Sequence, residues 1–213
     1  MLEAAGLTVV LPPDGVCCGL TYVSTGQLDQ ARAVQRRTLE LMRPLLAAGT
    51  PLVVLEPSCA AALKTDLVEL AAPDEPGARD LAASVRTFAQ ALEEYAPDWR
   101  PPRLDRPAVG QTHCHQHAVL GDEAERRLRA AAGLDGELSG GCCGLAGNFG
   151  FEKGHYDVST ACAEEQLLPA VRQAPPGAEV LADGFSCRTQ LEQLAGVRGR
   201  HLAEVLAESL DEE

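Results

Sequence analysis

Cys114, the adjacent pair Cys142–Cys143, and Cys187 are separated by 27 and 43 residues in the second half of this sequence. The first half repeats the doublet as Cys17–Cys18, again followed by Gly-Leu, and adds Cys59. Eight cysteines in a chain of 213 residues need a reason. Adjacent cysteines pair poorly with each other, because the short loop cannot reach ordinary disulfide geometry. In a reducing compartment, cysteines of this number indicate metal or redox chemistry rather than a disulfide framework. Four thiolates from three separate segments suit a tetrahedral sulfur environment, which means zinc or iron–sulfur. Structural zinc commonly uses two cysteines about two to four residues apart. No such knuckle occurs here, which favours a cluster. The glycines after each doublet let the backbone approach bound sulfides and offer N–H donors to them.

The run "HCHQH" sets His113, His115 and His117 at alternate positions around Cys114. His113 and His115 are candidate metal ligands or proton relays, or else polar loop residues that bond the backbone. His155, twelve residues after Cys143, is a further candidate ligand. Cys162 falls four residues after Val158 on an apolar helix face and reads as core.

Alternating strand and helix patterns must position these groups. Apolar runs at 7–11, 51–56, 108–112 and 178–183 read as strands. Helical periodicity predicts helices over 27–48, from Cys59 to about 70, 81–95, 118–132, 158–171, after Cys187, and 201–210. In helix 27–48, Ala31, Val34, Leu41, Leu45 and Leu46 fall near one face. The expected fold class is α/β: two pseudo-repeated βαβ lobes with mainly parallel sheets. Ligand crevices of such sheets lie at the carboxyl ends of the strands, where the cysteines fall. Cys59 and Cys187 are expected just ahead of helices, whose dipole favours thiolate.

The repeat is explicit. "EAAGLTVVLPPDGVCCGL" answers to "RAAAGLDGELSGGCCGL". Cys18 to Cys143 is an offset of 125, and Cys59 to Cys187 is 128. The expected division is a first lobe at 1–72, a helix and Pro-rich linker at 73–107, and a second lobe at 108–213. Cys114 has no counterpart in the first lobe, since the equivalent position falls ahead of Met1. The expectation is a fragment that begins inside a domain of a longer protein.

The formal net charge is −13, which disfavours nucleic acid and anionic membrane partners. No run of 18 apolar residues exists to span a membrane, and the first residues lack a basic signal region. A cytoplasmic location is expected, peripheral to a membrane only through an electron acceptor.

These residues resemble a known family, the cysteine-rich CCG domain. It occurs in tandem in heterodisulfide reductase, in lactate-utilisation and glycolate oxidase iron–sulfur subunits, and in the small subunit of an anaerobic glycerol-3-phosphate dehydrogenase. "EPSCAAAL", "THCHQHA", "CCGLAGNFGFEKGHYDVS" and "ADGFSCRTQ" look closest to the branch fused to FAD-binding D-lactate or D-2-hydroxyglutarate dehydrogenases. The resemblance implies an iron–sulfur cluster, of 4Fe-4S type, that passes electrons from a reduced FAD held on a domain outside this chain to a quinone or another carrier. Zinc is a possible substitute. By motif, Cys114, Cys142, Cys143 and Cys187 match the second copy, and Cys17, Cys18 and Cys59 the first. Ala62 and Gln190 stand where the family carries the second cysteine of its CxxC. Two other readings remain beside electron transfer: a thiol–disulfide reductase site, and a zinc-stabilised docking module.

Overall fold

Short parallel ladders, rather than long strands, organise this chain. The computed structural model describes residues 1–73 and 75–210. They form an α/β fold in two units, Leu2–Pro97 and Asp98 onward.

In the first unit, helices α1 (Leu20–Ser24) and α2 (Leu28–Ala47) precede strand β1 (Leu52–Val53). Helices α3 (Pro57–Lys64), α4 (Asp66–Leu70) and α5 (Ala78–Ser84) lead to β2 (Val85–Arg86) and α6 (Phe88–Tyr95). β1 and β2 pair in parallel, Leu52 with Val85 and Val53 with Arg86. The stripe that α2 buries is Ala31, Gln35, Thr38, Leu39 and Met42, not the all-apolar face expected. Steps of 4, 3 and 4 from Ala31 carry two polar residues into the interior, where both bond the backbone of the first cysteine doublet.

Three expectations for this unit fail. Residues 7–11 are not a strand: they pair with no strand among the described residues, and Val9, Val10 and Leu11 are exposed. Helix 81–95 is broken, because Thr87 takes an extended conformation and starts a new helix. Its hydroxyl accepts from the Gln90 N–H at 3.2 Å while the Gln90 side chain accepts from the Thr87 N–H at 3.1 Å. This reciprocal cap satisfies two donors at a helix start, and local capping outweighs the apolar period. Helix 59–70 starts two residues early, on Pro57, and divides at Thr65, whose hydroxyl turns back to the Ala61 carbonyl at 2.9 Å.

The second unit has a three-stranded parallel sheet in the order β4–β3–β5. β3 (Arg106–Gln111) lies between β4 (Leu134–Asp135) and β5 (Glu179–Ala182). Ala108–Gln111 pair residue by residue with Glu179–Ala182. A further parallel bridge joins Leu181 to Arg200. The helices are a π-turn at Gln116–Leu120, α7 (Glu123–Ala131), a 3-10 turn at Phe149–Phe151, α8 (Tyr156–Glu165), α9 (Leu167–Arg172), α10 (Phe185–Ala195) and α11 (Leu202–Glu208). Helix 118–132 is interrupted at Gly121, which takes a left-handed φ of 77° and ends the turn before it. Helix 158–171 divides at Gln166, whose φ of −139° is not helical. Leu145, Leu167, Leu181, Leu191 and Leu206 are among the largest fully buried side chains.

Strand ends place three of the cysteines. β3 runs on to Cys114, β5 to Cys187 and β1 to Cys59. Cys17 and Cys18 follow the unpaired stretch instead of a strand. Cys59 and Cys187 sit inside the first turns of α3 and α10 rather than ahead of them. No helix among the described residues is long and apolar enough to cross a membrane.

Candidate metal centre

Each doublet has one exposed and one buried cysteine. Cys17 and Cys142 are exposed, whereas Cys18 and Cys143 are buried. The glycine after each doublet holds the loop in the left-handed region, with φ of 77° at Gly19 and 86° at Gly144. Its N–H then donates to the sulfur two residues back: Gly19 to Cys17 Sγ at 3.5 Å, and Gly144 to Cys142 Sγ at 3.3 Å. The two loops share this device, as the sequence repeat leads one to expect.

The first loop is clamped to α2 by the polar residues of its buried face. The Thr38 hydroxyl donates to the Cys17 carbonyl at 2.7 Å and accepts from the Cys17 N–H at 2.9 Å. The Gln35 amide donates to the Cys18 carbonyl at 3.1 Å. Cys18 Sγ lies 3.1 Å from Cys59 Sγ. The Cys59 hydrogen bond brings the Cys18 thiol down to about 7, against the opposing effect of burial. Cys59 moves the other way, raised by that same bond and then by burial, so the helix dipole does not make it the thiolate.

In the second unit the candidate thiols act on acidity within the set: Cys114 on Cys142, Cys142 on Cys143, and Cys187 on Cys143. Bonds from Cys114 and Cys143 hold Cys142 far below the ordinary thiol range. Cys114 is raised by its bond to Cys142 and then by burial. Cys143 is raised by its bonds to Cys142 and Cys187 and by burial. A set of thiols that shares protons in this way is poised to lose them to a metal, because metal binding requires thiolate. Cys143 and Cys187 also pack in one apolar cluster with Leu145, Leu167 and Leu191, which keeps one side of the set dry.

The histidines divide. The ligand atoms of His113, Cys114 and His115 lie within 4.8 Å of one another. His113 is buried, and its Nδ1 accepts the His115 backbone N–H at 3.1 Å. In a neutral ring that bond places the proton on Nε2, which makes His113 a donor rather than a ligand. The Nδ1 of His115 is buried and lacks a hydrogen-bond partner among the described residues. It has a lone pair or proton to give and suits a metal-ligand role better than His113. His155 stacks on Phe149 at 4.2 Å between ring centroids, and its Nδ1 lies 3.2 Å from the Phe149 carbonyl oxygen and 3.3 Å from Glu152 Oε2.

The supporting roles of several residues escaped the sequence reading. Gly184 packs so closely on His113 that a Cβ there would sit 2.0 Å from His113 Cδ2. A Cβ on Gly144 would sit 2.0 Å from the Ser159 carbonyl oxygen. Gln190, at the place of the family's second CxxC cysteine, is buried and donates to Ser159 Oγ at 2.9 Å. It therefore ties α10 to α8. Ala62, at the matching place in the first unit, is buried in α3. Gln35 and Thr38 had one signal in the sequence: polar residues in register with Ala31 and Met42 on an amphipathic helix.

The comparisons with known proteins agree on a class. Residues 1–64 match the family model of the CCG cysteine-rich domain. Over 99% of its length it is 30% identical to a subunit of the anaerobic glycerol-3-phosphate dehydrogenase of Escherichia coli K12, and it covers 53% of that protein. It is 25% identical to the D-2-hydroxyglutarate dehydrogenase of the same strain, over 98% of this chain and 20% of the enzyme. It is 24% identical to a probable glycolate oxidase iron-sulfur subunit of Bacillus subtilis 168, over 98% of this chain and 49% of that protein. The chain thus spans about half the length, or less, of these relatives.

Proposed function

We propose that this chain is an iron–sulfur electron-transfer module of a flavin-linked dehydrogenase that acts on small hydroxy acids or related alcohols. The carrying observation is that Cys114 and Cys187 follow the neighbouring parallel strands β3 and β5, that Cys143 and Cys187 pack in one cluster, and that Cys142 perturbs the acidity of Cys114 and Cys143. These four sulfurs would hold the cluster, with His115 beside Cys114 as a further donor. A cluster bound there supplies one-electron acceptance and release, and its potential is set by burial and hydrogen bonds to sulfur. The residues of this chain tune it: Gly144 donates to Cys142, and the apolar group around Leu167 excludes water from Cys143 and Cys187. Hydroxy-acid oxidation belongs in this reading to a flavin domain outside the chain, with a quinone or a soluble carrier as acceptor. The relatives named above support the reading, since one is called an iron-sulfur subunit and two are dehydrogenases or their subunits.

A thiol–disulfide reductase site is less well supported, because Ala62 and Gln190 occupy the places of the fifth cysteines. The test is anaerobic reconstitution with iron and sulfide. Expected are stoichiometric iron and acid-labile sulfide, a broad visible absorption band, and a paramagnetic signal on reduction. Binding of zinc in preference to iron after anaerobic purification, with no sulfide retained, overturns the proposal in favour of a docking module.

A further inference from the structure

Beside the carboxyl ends of β3 and β5 the second unit buries polar groups that the metal centre does not use. Gln111 ends β3, Gln116 opens the π-turn two residues after Cys114, and Arg129 lies in α7. All three are at most 6% exposed. Each holds one side-chain atom out of water with no hydrogen-bond partner among the described residues: Gln111 Oε1, Gln116 Nε2 and Arg129 Nε. The other end of the Gln111 amide is engaged, since Nε2 donates to the Gly140 carbonyl at 3.1 Å. That bond fixes Oε1 as the acceptor. Buried polar atoms are costly unless paired, so these three call for a common partner.

The three residues line one cavity. The room in it for the centre of a water molecule is about 20 Å³, and one water needs roughly 10–15 Å³. An organic ligand or an oxyanion is too large for that space, and the carboxylates of Asp122, Glu125 and Asp183, which also line it, repel anions. A metal cage is not built there either. Among the described residues, only His113, Cys114 and His115 bring three such donors within reach of one another. Water matches the lining: it accepts from Gln116 Nε2 and Arg129 Nε, donates to Gln111 Oε1, and has a carboxylate wall to take its second proton.

We propose that this cavity is a binding site for one ordered water, which bridges Gln111, Gln116 and Arg129. The segments it joins lead to the cysteines of the second unit. Gln116 follows Cys114 by two residues, and Gln111 holds Gly140, two residues before Cys142. Arg129 Nη1 donates to the Gly136 carbonyl at 3.3 Å, just beyond β4. The water thus ties the turn of Cys114 to the approach of the Cys142–Cys143 loop before any metal arrives. Gln111, Gln116 and Arg129 are positioning residues. The site belongs to the polypeptide alone, so its test uses no iron, and its failure leaves the cluster reading untouched.

The test is nuclear magnetic resonance on the metal-free full chain. Water cross-relaxation peaks are expected at the Gln116 side-chain amide and at the Arg129 Nε–H, with the sign of a water that tumbles with the protein. Gln116→Met keeps the side-chain length and removes the donor. Its oxygen-17 relaxation dispersion is expected to lose the amplitude of about one long-lived water. In the same variant the Ser139 and Thr112 amides, which bond β3 to the approach of the doublet, are expected to exchange about threefold faster or more. Absence of either peak in the unmodified chain overturns the proposal. So does an unchanged dispersion amplitude in Gln116→Met, or unchanged exchange at both amides once the water is lost. Peaks that vanish as potassium chloride is added assign the cavity to a monovalent cation and overturn it too. If Gln116→Met does not fold, the two peaks of the unmodified chain decide alone.

Discussion

Cys18 Sγ and Cys59 Sγ, 41 residues apart in sequence, approach to 3.1 Å in the first unit. That contact makes one sulfur a good acid and its neighbour a poor one. Ultraviolet thiolate absorbance of the metal-free protein should therefore show a step near pH 7 that belongs to Cys18. Cys59→Ala removes the donor, and the step should move up toward the ordinary thiol value of 9.0. The sign for stability follows. A folded value lowered below 9.0 gives Cys18 a stabilising contribution that is complete above pH 9 and lost as pH falls through 7. A step that stays in place in Cys59→Ala would assign the acid thiol elsewhere.

Gly144 tests how tightly the second doublet is held. Its φ is 86°, and a Cβ would lie 2.0 Å from the Ser159 carbonyl oxygen. Gly144→Ala should cost more than about 2 kcal/mol in urea unfolding, combining left-handed strain with a backbone collision. Gly147→Ala has a similar φ of 71° but open space around it. It should cost only about 1–2 kcal/mol. Equal costs for the two would mean that the loop yields at Ser159.

Thr38 bonds both backbone groups of Cys17 and is fully buried. Thr38→Val keeps the shape and leaves those groups unsatisfied, at about 1–3 kcal/mol. Thr38→Ser keeps the hydroxyl and should recover most of that loss. Chemical denaturation of the two variants separates the hydrogen bonds from packing.

Cysteine content alone does not make a ligand. After anaerobic reconstitution, Cys114→Ala and Cys187→Ala should each lose the iron of the second unit. Cys162→Ser should keep it, because Cys162 packs with its Cβ about 3.0 Å from the position of a Cβ on Gly144, as part of the wall behind the loop. Iron and sulfide assays per chain check this, and loss of iron from Cys162→Ser would enlarge the donor set.

The parallel α/β class was legible from alternating apolar runs, and the doublet loops from their repeated letters. Helix boundaries were less so. The break at Thr87 depends on a two-residue capping box that apolar spacing over 81–95 masks. The break at Gln166 had no such signal, since "EEQLLPAV" reads as an ordinary helical run up to Pro169. Residues 7–11 have strand composition but no paired strand among the described residues, and a strand exists only where another backbone completes its hydrogen bonds. At the centre, sequence could collect Cys114, Cys142, Cys143 and Cys187, yet not decide between His113 and His115. That choice rests on one backbone N–H occupying His113 Nδ1. Gly184 was invisible for a similar reason: its role is to leave room for a ring 71 residues earlier.

The split within each doublet, one cysteine exposed and its neighbour buried, sets an order of attack. Peroxide, alkylating agents and chelators arrive from the aqueous side, so Cys17 and Cys142 meet them first. Damage should begin as the loss of a single corner of the sulfur set, while the inward pair, packed among leucines in the second unit, stays intact. Repair then needs only one fresh reduced thiol at the outer position.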